Sequence, residues 1–220
     1  MAGIVGIIGT GRRADVERML ARIAHRGRAG SRVVERKWAT VGAVWPPTQP
    51  DAVRPRHGVV QDRLGEGRLA KAELVLGKLV LSRDAVGIAP IYYGRTEAGE
   101  LCFASEVKAL LQVTRQISEL PPGSSYDGTC PQPHFRLRTP PPLGDSPEDI
   151  AQELYCRLAK AVESRVTSDA MGVWLSGGLD SSTMAALARP HVKRLCTFAG
   201  GLPGAPDLEH AREVADFLGS

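Results

Sequence analysis

The stretch Leu175-Ser176-Gly177-Gly178-Leu179-Asp180-Ser181-Ser182 gathers residue types that hold anions. Two glycines let the backbone turn sharply and come close to a ligand. Ser176, Gly177 and Gly178 can then aim N–H groups at one point, and a following helix adds the positive end of its dipole. Ser181 and Ser182 add hydroxyl donors. Asp180 would repel a bare phosphate, so it reads as a group that meets magnesium or fixes the loop. The stretch has no lysine and is not the GxxxxGK[ST] nucleotide loop. A Gly-Gly turn between strand and helix is often only a joint; here the serines, the aspartate and the strand context favour phosphate binding.

A second place where chemistry could sit is the N-terminus, MAGIVGIIGT. Some enzymes use the side chain of residue two as a nucleophile once Met1 is removed, with the freed amine as its base. Ala2 offers no nucleophile.

These residues need elements to position them. Ile4-Val5-Gly6-Ile7-Ile8 reads as a short buried strand ended by Gly-Thr-Gly. Val16, Met19, Leu20 and Ile23 predict a helix over residues 14–26, stopped by Gly27. Residues 74–76 and 79–81 predict strands turning through Gly77-Lys78, and IYYGRTEAGELCFAS predicts a hairpin turning at Glu97-Ala98-Gly99, followed by a helix over 105–112. Residues 121–147 hold half of the 16 prolines, which favours extended chain and a linker. Ser146-Pro147-Glu148-Asp149 then announces a helix, with Ala151, Leu154, Leu158, Ala161 and Val162 as its buried stripe. A strand at 172–175, a helix at 181–188, a strand at 195–199 and a helix at about 207–218 complete a parallel α/β order. The loop at 176–182 falls at the carboxyl end of the first of those strands, where open α/β sheets bind ligands.

Composition narrows the class. The 220 residues allow one domain or two small ones, with ordinary hydrophobic and charged fractions of 43% and 24%. No apolar run reaches the roughly 18 residues of a membrane span, and no signal peptide is evident, so a cytoplasmic location is expected. The net charge is +4, with arginines at 12, 13, 18, 22, 26, 28, 32 and 36. Without aromatic interleaving or a recognition motif this reads as a solvated face, and no nucleic-acid partner is expected. Cys102, Cys130, Cys156 and Cys196 form no CxxC pair and are expected to be buried free thiols.

SGGLDSS resembles the pyrophosphatase-type loop of synthetases that adenylate a carboxylate. GIVGIIG, HRG at 25–27, RDAVGIAPIYYG at 83–94, FASEVKALL at 103–111, LPPGS at 120–124 and TFAGGLPGAPDLEHAREVADFLG at 197–219 resemble, in order, the glutamine-hydrolysing asparagine synthetase B family. The resemblance implies an α+β N-terminal-nucleophile-type domain (αββα-like, shortened) over 1–125, a Pro-rich linker over 126–146, and over 147–220 the first part of an α/β PP-loop domain of the adenine nucleotide alpha hydrolase-like type. It implies that Leu175, Ser176, Gly177, Gly178, Asp180, Ser181 and Gly200 hold ATP, with Asp180 the candidate magnesium contact. Gly200 stands where the family has an aliphatic residue against adenine.

The chain also departs from the family. The family begins Met-Cys-Gly-Ile, and Ala2 replaces the cysteine, so no catalytic residue is assigned in the first domain. The arginine strand, the Asn-Gly-Glu segment and the later aspartate that hold glutamine are not recognisable between residues 30 and 75. Gly42-Ala43-Val44-Trp45 stands in the place of the first, and GVVQDRLGEG (58–67) is a remnant of the second. Absence of glutaminase activity is expected. The family's synthetase domain continues beyond ADFLGS, so open sheet edges are expected, to be covered in a homo-oligomer or by a partner subunit unless the chain is a fragment. Three readings follow: an ATP-dependent amidoligase of the asparagine synthase type acting on aspartate and ammonia, a β-lactam-synthetase-like ligase, and a non-catalytic regulatory or binding relative.

Overall fold

The computed structural model describes residues 2–47, 59–63, 69–75, 78–142 and 144–220, and forms two compact units, Met1–Thr139 and Pro140–Ser220. The turn residue Gly77 and much of the stretch 58–67 lie outside the described residues.

In the first unit, β1 (Gly3–Ile7) is buried along its whole length. It is flanked on both sides by antiparallel partners, β3 (Ala39–Trp45) and β8 (Leu101–Ala104). The six-stranded sheet runs β2-β3-β1-β8-β7-β9, with β2 (Gly30–Arg36) and β9 (Ile117–Glu119) at its edges and β7 (Tyr92–Arg95) beside β8. A five-stranded sheet runs β11-β10-β6-β5-β4, built from β4 (Val59–Arg63), β5 (Leu69–Val75), β6 (Lys78–Arg83), β10 (Ser124–Tyr126) and β11 (Gln132–Pro133).

Alternation along the strands sorts the side chains into two layers. Ala2, Ile4, Val41, Ala43, Leu101 and Phe103 face the second sheet, meeting Ala70, Ala72, Leu79, Leu81 and Tyr126. Tyr126 stacks on Tyr93 with ring centres 4.2 Å apart. On the other face, Val5, Ile7, Val44 and Cys102 meet α1 (Arg13–Arg22) and α2 (Val107–Leu110) through Val16, Met19, Leu20, Ala109 and Leu110. Close approach demands small residues in the strands. A Cβ at Gly6 would sit 2.4 Å from the Phe103 ring, and one at Gly42 2.7 Å from Leu20.

The layers are helix, sheet, sheet. Among the described residues no helix covers the outer face of the five-stranded sheet, so the expected αββα arrangement shows one helical layer here. The predicted 92–104 hairpin is present, with Gly99 at φ +80° closing its turn. The helix expected over 14–26 ends at Arg22 and continues as a 3₁₀ turn, Ala24–Arg26. The proline-rich stretch is extended, but β10 and β11 pair within it, so the first unit runs further than its proline content suggests. Of the cysteines only Cys102 is fully buried, while Cys130 is exposed and Cys156 and Cys196 are half-buried. Burial pushes the Cys102 thiol up to about 12.

The second unit is built on two parallel strands, β12 (Ala170–Trp174) and β13 (Arg194–Phe198), as the sequence order predicts. Helices α3 (Pro147–Glu163), α4 (Leu179–Ala188) and α5 (Pro206–Leu218) accompany them. The Ser146 hydroxyl accepts from the Asp149 N–H at 3.1 Å, and Pro147 opens α3, as the cap signal predicts. The expected buried stripe of α3 is not formed: only Val162 is buried, and Leu154 is 55% exposed. One face of the strand pair packs Val173 with Leu175, Ala185 and Ala211. Trp174, 79% exposed, and Phe198 lie side by side with ring centres 6.1 Å apart.

Among the described residues no helix is long and apolar enough to cross a membrane.

Candidate functional site

The loop after β12 is where sequence and geometry meet. Leu175 is 2% exposed and its N–H donates to the Phe198 carbonyl at 2.8 Å, extending the parallel pairing into the loop. Its side chain is in the core, so only its backbone faces the site. Gly177 has φ +78°, which favours glycine. A Cβ there would also lie 2.6 Å from the Ala211 nitrogen and from the His210 Cβ, so α5 leaves no room for one.

Ser176 and Ser181 hold the loop's shape. The Ser181 hydroxyl accepts from the Ser176 N–H at 3.1 Å, shares a hydrogen bond with the Ser176 hydroxyl at 2.9 Å and donates to the Gly178 carbonyl at 3.2 Å. The Gly178 N–H donates to the Ser176 hydroxyl at 3.4 Å. Gly178 is the N-cap of α4 and provides no side-chain cap. The N–H groups of Leu179, Asp180 and Ser181 belong to the first turn, where no intrahelical acceptor exists. The loop therefore presents uncapped donors and a helix dipole to solvent at the carboxyl end of a parallel strand pair. This is an environment suited to phosphate oxygens.

The remaining predicted residues sit as follows. Asp180 is exposed in the first turn of α4. Among the described residues no group of three or more His, Cys, Asp or Glu side chains could hold a metal, so Asp180 belongs to no preformed cluster of that kind. Ser182 differs from Ser181: its hydroxyl is buried without a hydrogen-bond partner. Gly200 follows β13 with open space where a Cβ would be, at the same end of the strand pair as the loop.

At position two the geometry is closed. Ala2 is 0% exposed and packs in the core between the two sheets. Its carbonyl accepts from the Arg26 Nε at 2.6 Å. The Arg26 Nη1 in turn donates to Glu106 at 3.3 Å, and Glu106 also meets His25 at 3.0 Å and Lys108 at 2.9 Å. The Ser105 hydroxyl accepts from the Ile4 N–H at 2.9 Å. The HRG and ASE motifs thus clamp the start of β1. Gly27 completes the clamp, since a Cβ there would lie 2.2 Å from the Trp45 nitrogen. Burial raises the Glu106 carboxyl, but hydrogen bonds from Lys108 and Arg26 and the nearby His25 outweigh it and hold the pKa below the ordinary value.

The RDAVGIAP motif is also a brace. Arg83 donates to the carbonyls of Ala89, Leu120 and Gly87 and pairs with Glu119 at 2.6 Å. Asp84 accepts from the N–H groups of Ile88 and Ala89. Residue types in these motifs signalled importance, but their structural roles depend on contacts distant in sequence.

Two family models match the chain: Asparagine synthase over residues 153–220 and Glutamine amidotransferase domain over residues 73–123. The chain is 41% identical over 156 residues to asparagine synthetase [glutamine-hydrolyzing] 2 of Arabidopsis thaliana, covering 64% of this chain and 27% of the relative. It is 40% identical over 160 residues to asparagine synthetase B [glutamine-hydrolyzing] of Escherichia coli (strain K12), covering 64% of this chain and 29% of the relative. A Zea mays asparagine synthetase [glutamine-hydrolyzing] is 39% identical over 153 residues, covering 63% and 26%. The chain spans less than a third of the length of these curated relatives.

Two outcomes follow from this geometry. Gly177→Ala combines a strained φ with a collision against α5 and is expected to lower stability by at least about 1–3 kcal/mol, read by thermal or urea unfolding; an unchanged midpoint would contradict the contact. Glu106, with its depressed pKa, contributes stability that is present above the ordinary carboxylate range, about 4.3, and is lost as pH falls through its folded value. Glu106→Gln is expected to lower stability at neutral pH and to flatten the acid limb of a stability–pH curve; a parallel acid limb would contradict this.

Proposed function

Because the chain is an asparagine synthetase family protein, we propose that its second unit binds ATP for carboxylate adenylation and amide formation, and that its first unit has no glutaminase activity. The observation that carries the first part is the uncapped start of α4, framed by the Ser176–Ser181 hydrogen bonds. In this reading the N–H groups of Gly177 and of Leu179 to Ser181 orient the triphosphate, and the hydroxyls of Ser176 and Ser181 exchange their bonds within the loop for bonds to phosphate oxygens. They stabilise charge as the pyrophosphate departs, since preorganised donors in a fixed loop need little reorganisation. Asp180, exposed in the first turn of α4, is the residue that would hold a magnesium ion, which would offset phosphate charge. Gly200 leaves space against the purine where an aliphatic side chain would add contact. Aspartate as acceptor and ammonia as nucleophile come from the family alone, and the relatives' names supply the amide product.

The burial of Ala2 supports the second part of the proposal. The position carries no thiol, and the space around its side chain is core. The exposed Trp174 and Phe198 favour a further element of the reading: parallel sheets are generally covered on both faces, so this pair is completed by a second copy or by further polypeptide, whether of this chain or of another. Either arrangement would let the nucleotide-binding reading extend to catalysis, and the same surface serves a purely regulatory relative.

Titration with magnesium-ATP by calorimetry is the direct test. Saturable binding is expected, weakened roughly tenfold in Ser181→Ala, the loss of about one hydrogen bond to a charged ligand; no heat and no thermal stabilisation by ATP would sink the nucleotide reading. Incubation with glutamine is expected to release no ammonia above a buffer control. Ala2→Cys is expected not to restore release, because the residue sits in the core; release by either protein would overturn the reading of the first unit.

A further inference from the structure

The first unit has an open cavity of about 770 Å³ lined by the start of α1, the β7–β8 turn and the segment after α2. Apart from Leu111, the last residue of FASEVKALL, none of the motifs that carry the family resemblance contributes to it. Three of its lining side chains are guanidinium groups, Arg12, Arg95 and Arg115.

Their charges are not in the same state. Arg12 is committed to two carboxylates, Asp15 and Glu100, and the hydrogen bond it donates to Glu100 raises its pKa. Asp15 is shared in turn with Arg18. Arg95 and Arg115 are held otherwise. The two Nη atoms of Arg95 donate to the carbonyls of Gly99 and Gly128, each at 2.9 Å. Arg115 donates to the carbonyl of Leu111 at 2.9 Å. Among the described residues neither meets a carboxylate within ion-pair distance. A guanidinium has five N–H donors, so these carbonyl bonds fix the two groups in place and leave donors and positive charge available to the cavity. The other carboxylate of the lining, Glu97, is exposed on the turn and makes no ion pair among the described residues.

We propose that this cavity is a binding site for a small oxyanion, a carboxylate or phosphate group held between Arg95 and Arg115. Neutral carbonyl partners orient the forks without cancelling their charge, which suits bidentate recognition of two oxygens. Arg12, already neutralised, forms a wall of the site. Glu97 sets a negative charge against the ligand and limits its affinity. The site belongs to the first unit and does not depend on the loop at 176–182.

The test uses the full chain in the Ser181→Ala background, titrated with inorganic phosphate and, separately, with succinate, following backbone amide resonances by NMR. Saturable shifts confined to residues 95–99 and 111–116 are expected with at least one anion, and which anion saturates identifies the preferred oxygen group. In Arg95→Gln/Arg115→Gln the affinity is expected to fall by roughly tenfold or more, with amide dispersion confirming the fold. Glu97→Gln is expected to tighten binding and, unlike a merely structural change, to do so most at low salt. The proposal is overturned if neither anion shifts these amides, if the double arginine variant binds as well as its parent, or if Glu97→Gln weakens binding, which would mark the site as one for a zwitterion. A weakened ATP response in this background, with unchanged shifts here, separates this site from the nucleotide reading.

Discussion

The first unit depends on burial of β1 on both faces. A strand that carries a helix layer on one side and a second sheet on the other cannot tolerate a shift by one residue, because every side chain would change layers. Arg26 and Ser105 fix that register at the strand's beginning, the former through the Ala2 carbonyl and the latter through the Ile4 N–H. Glu106 then compensates the buried guanidinium, and Gly27 lets the backbone pass Trp45. Contacts from two distant segments thus hold the start of the strand around Ala2.

The second unit has a different logic. Its two parallel strands share one carboxyl end, where Leu175 pairs with Phe198 and the chain turns into α4. The core beneath is small, with Leu175, Ala185 and Ala211 at its centre. Local hydrogen bonds between Ser176 and Ser181 shape the loop where side-chain packing cannot.

Much of this architecture was legible from local pattern. The Ser146 cap, the 92–104 hairpin and the parallel order of the second unit all rest on signals within a few residues. Strands β2 and β3 were not legible. β3 is buried throughout and reads ATVGAVW, so no alternation marks it, and its small residues record the approach of α1 through Leu20 at Gly42. β2 carries three charged residues on a sheet edge, which masks its apolar face. The stripe of α3 misled because an apolar period reports a face that seeks cover, whether or not the unit supplies it. At the loop, the local pattern marked a strand followed by a helix, and β12 and α4 are those elements. The Arg26–Ala2 and Arg26–Glu106 contacts join residues 24 and 80 positions apart, and no local reading could assemble them.

The contact between Gly177 and α5 ties the loop to a helix more than thirty residues later. The glycine lies against the backbone at His210 and Ala211, with no side chain between to absorb movement. The loop and the seating of α5 therefore form one thermodynamic object. A ligand that requires this loop conformation also favours the docked helix, and a polypeptide that reseats the helix alters loop affinity by the same factor. The geometry of the loop can thus be tuned from the helix surface, by a contact remote from the uncapped start of α4.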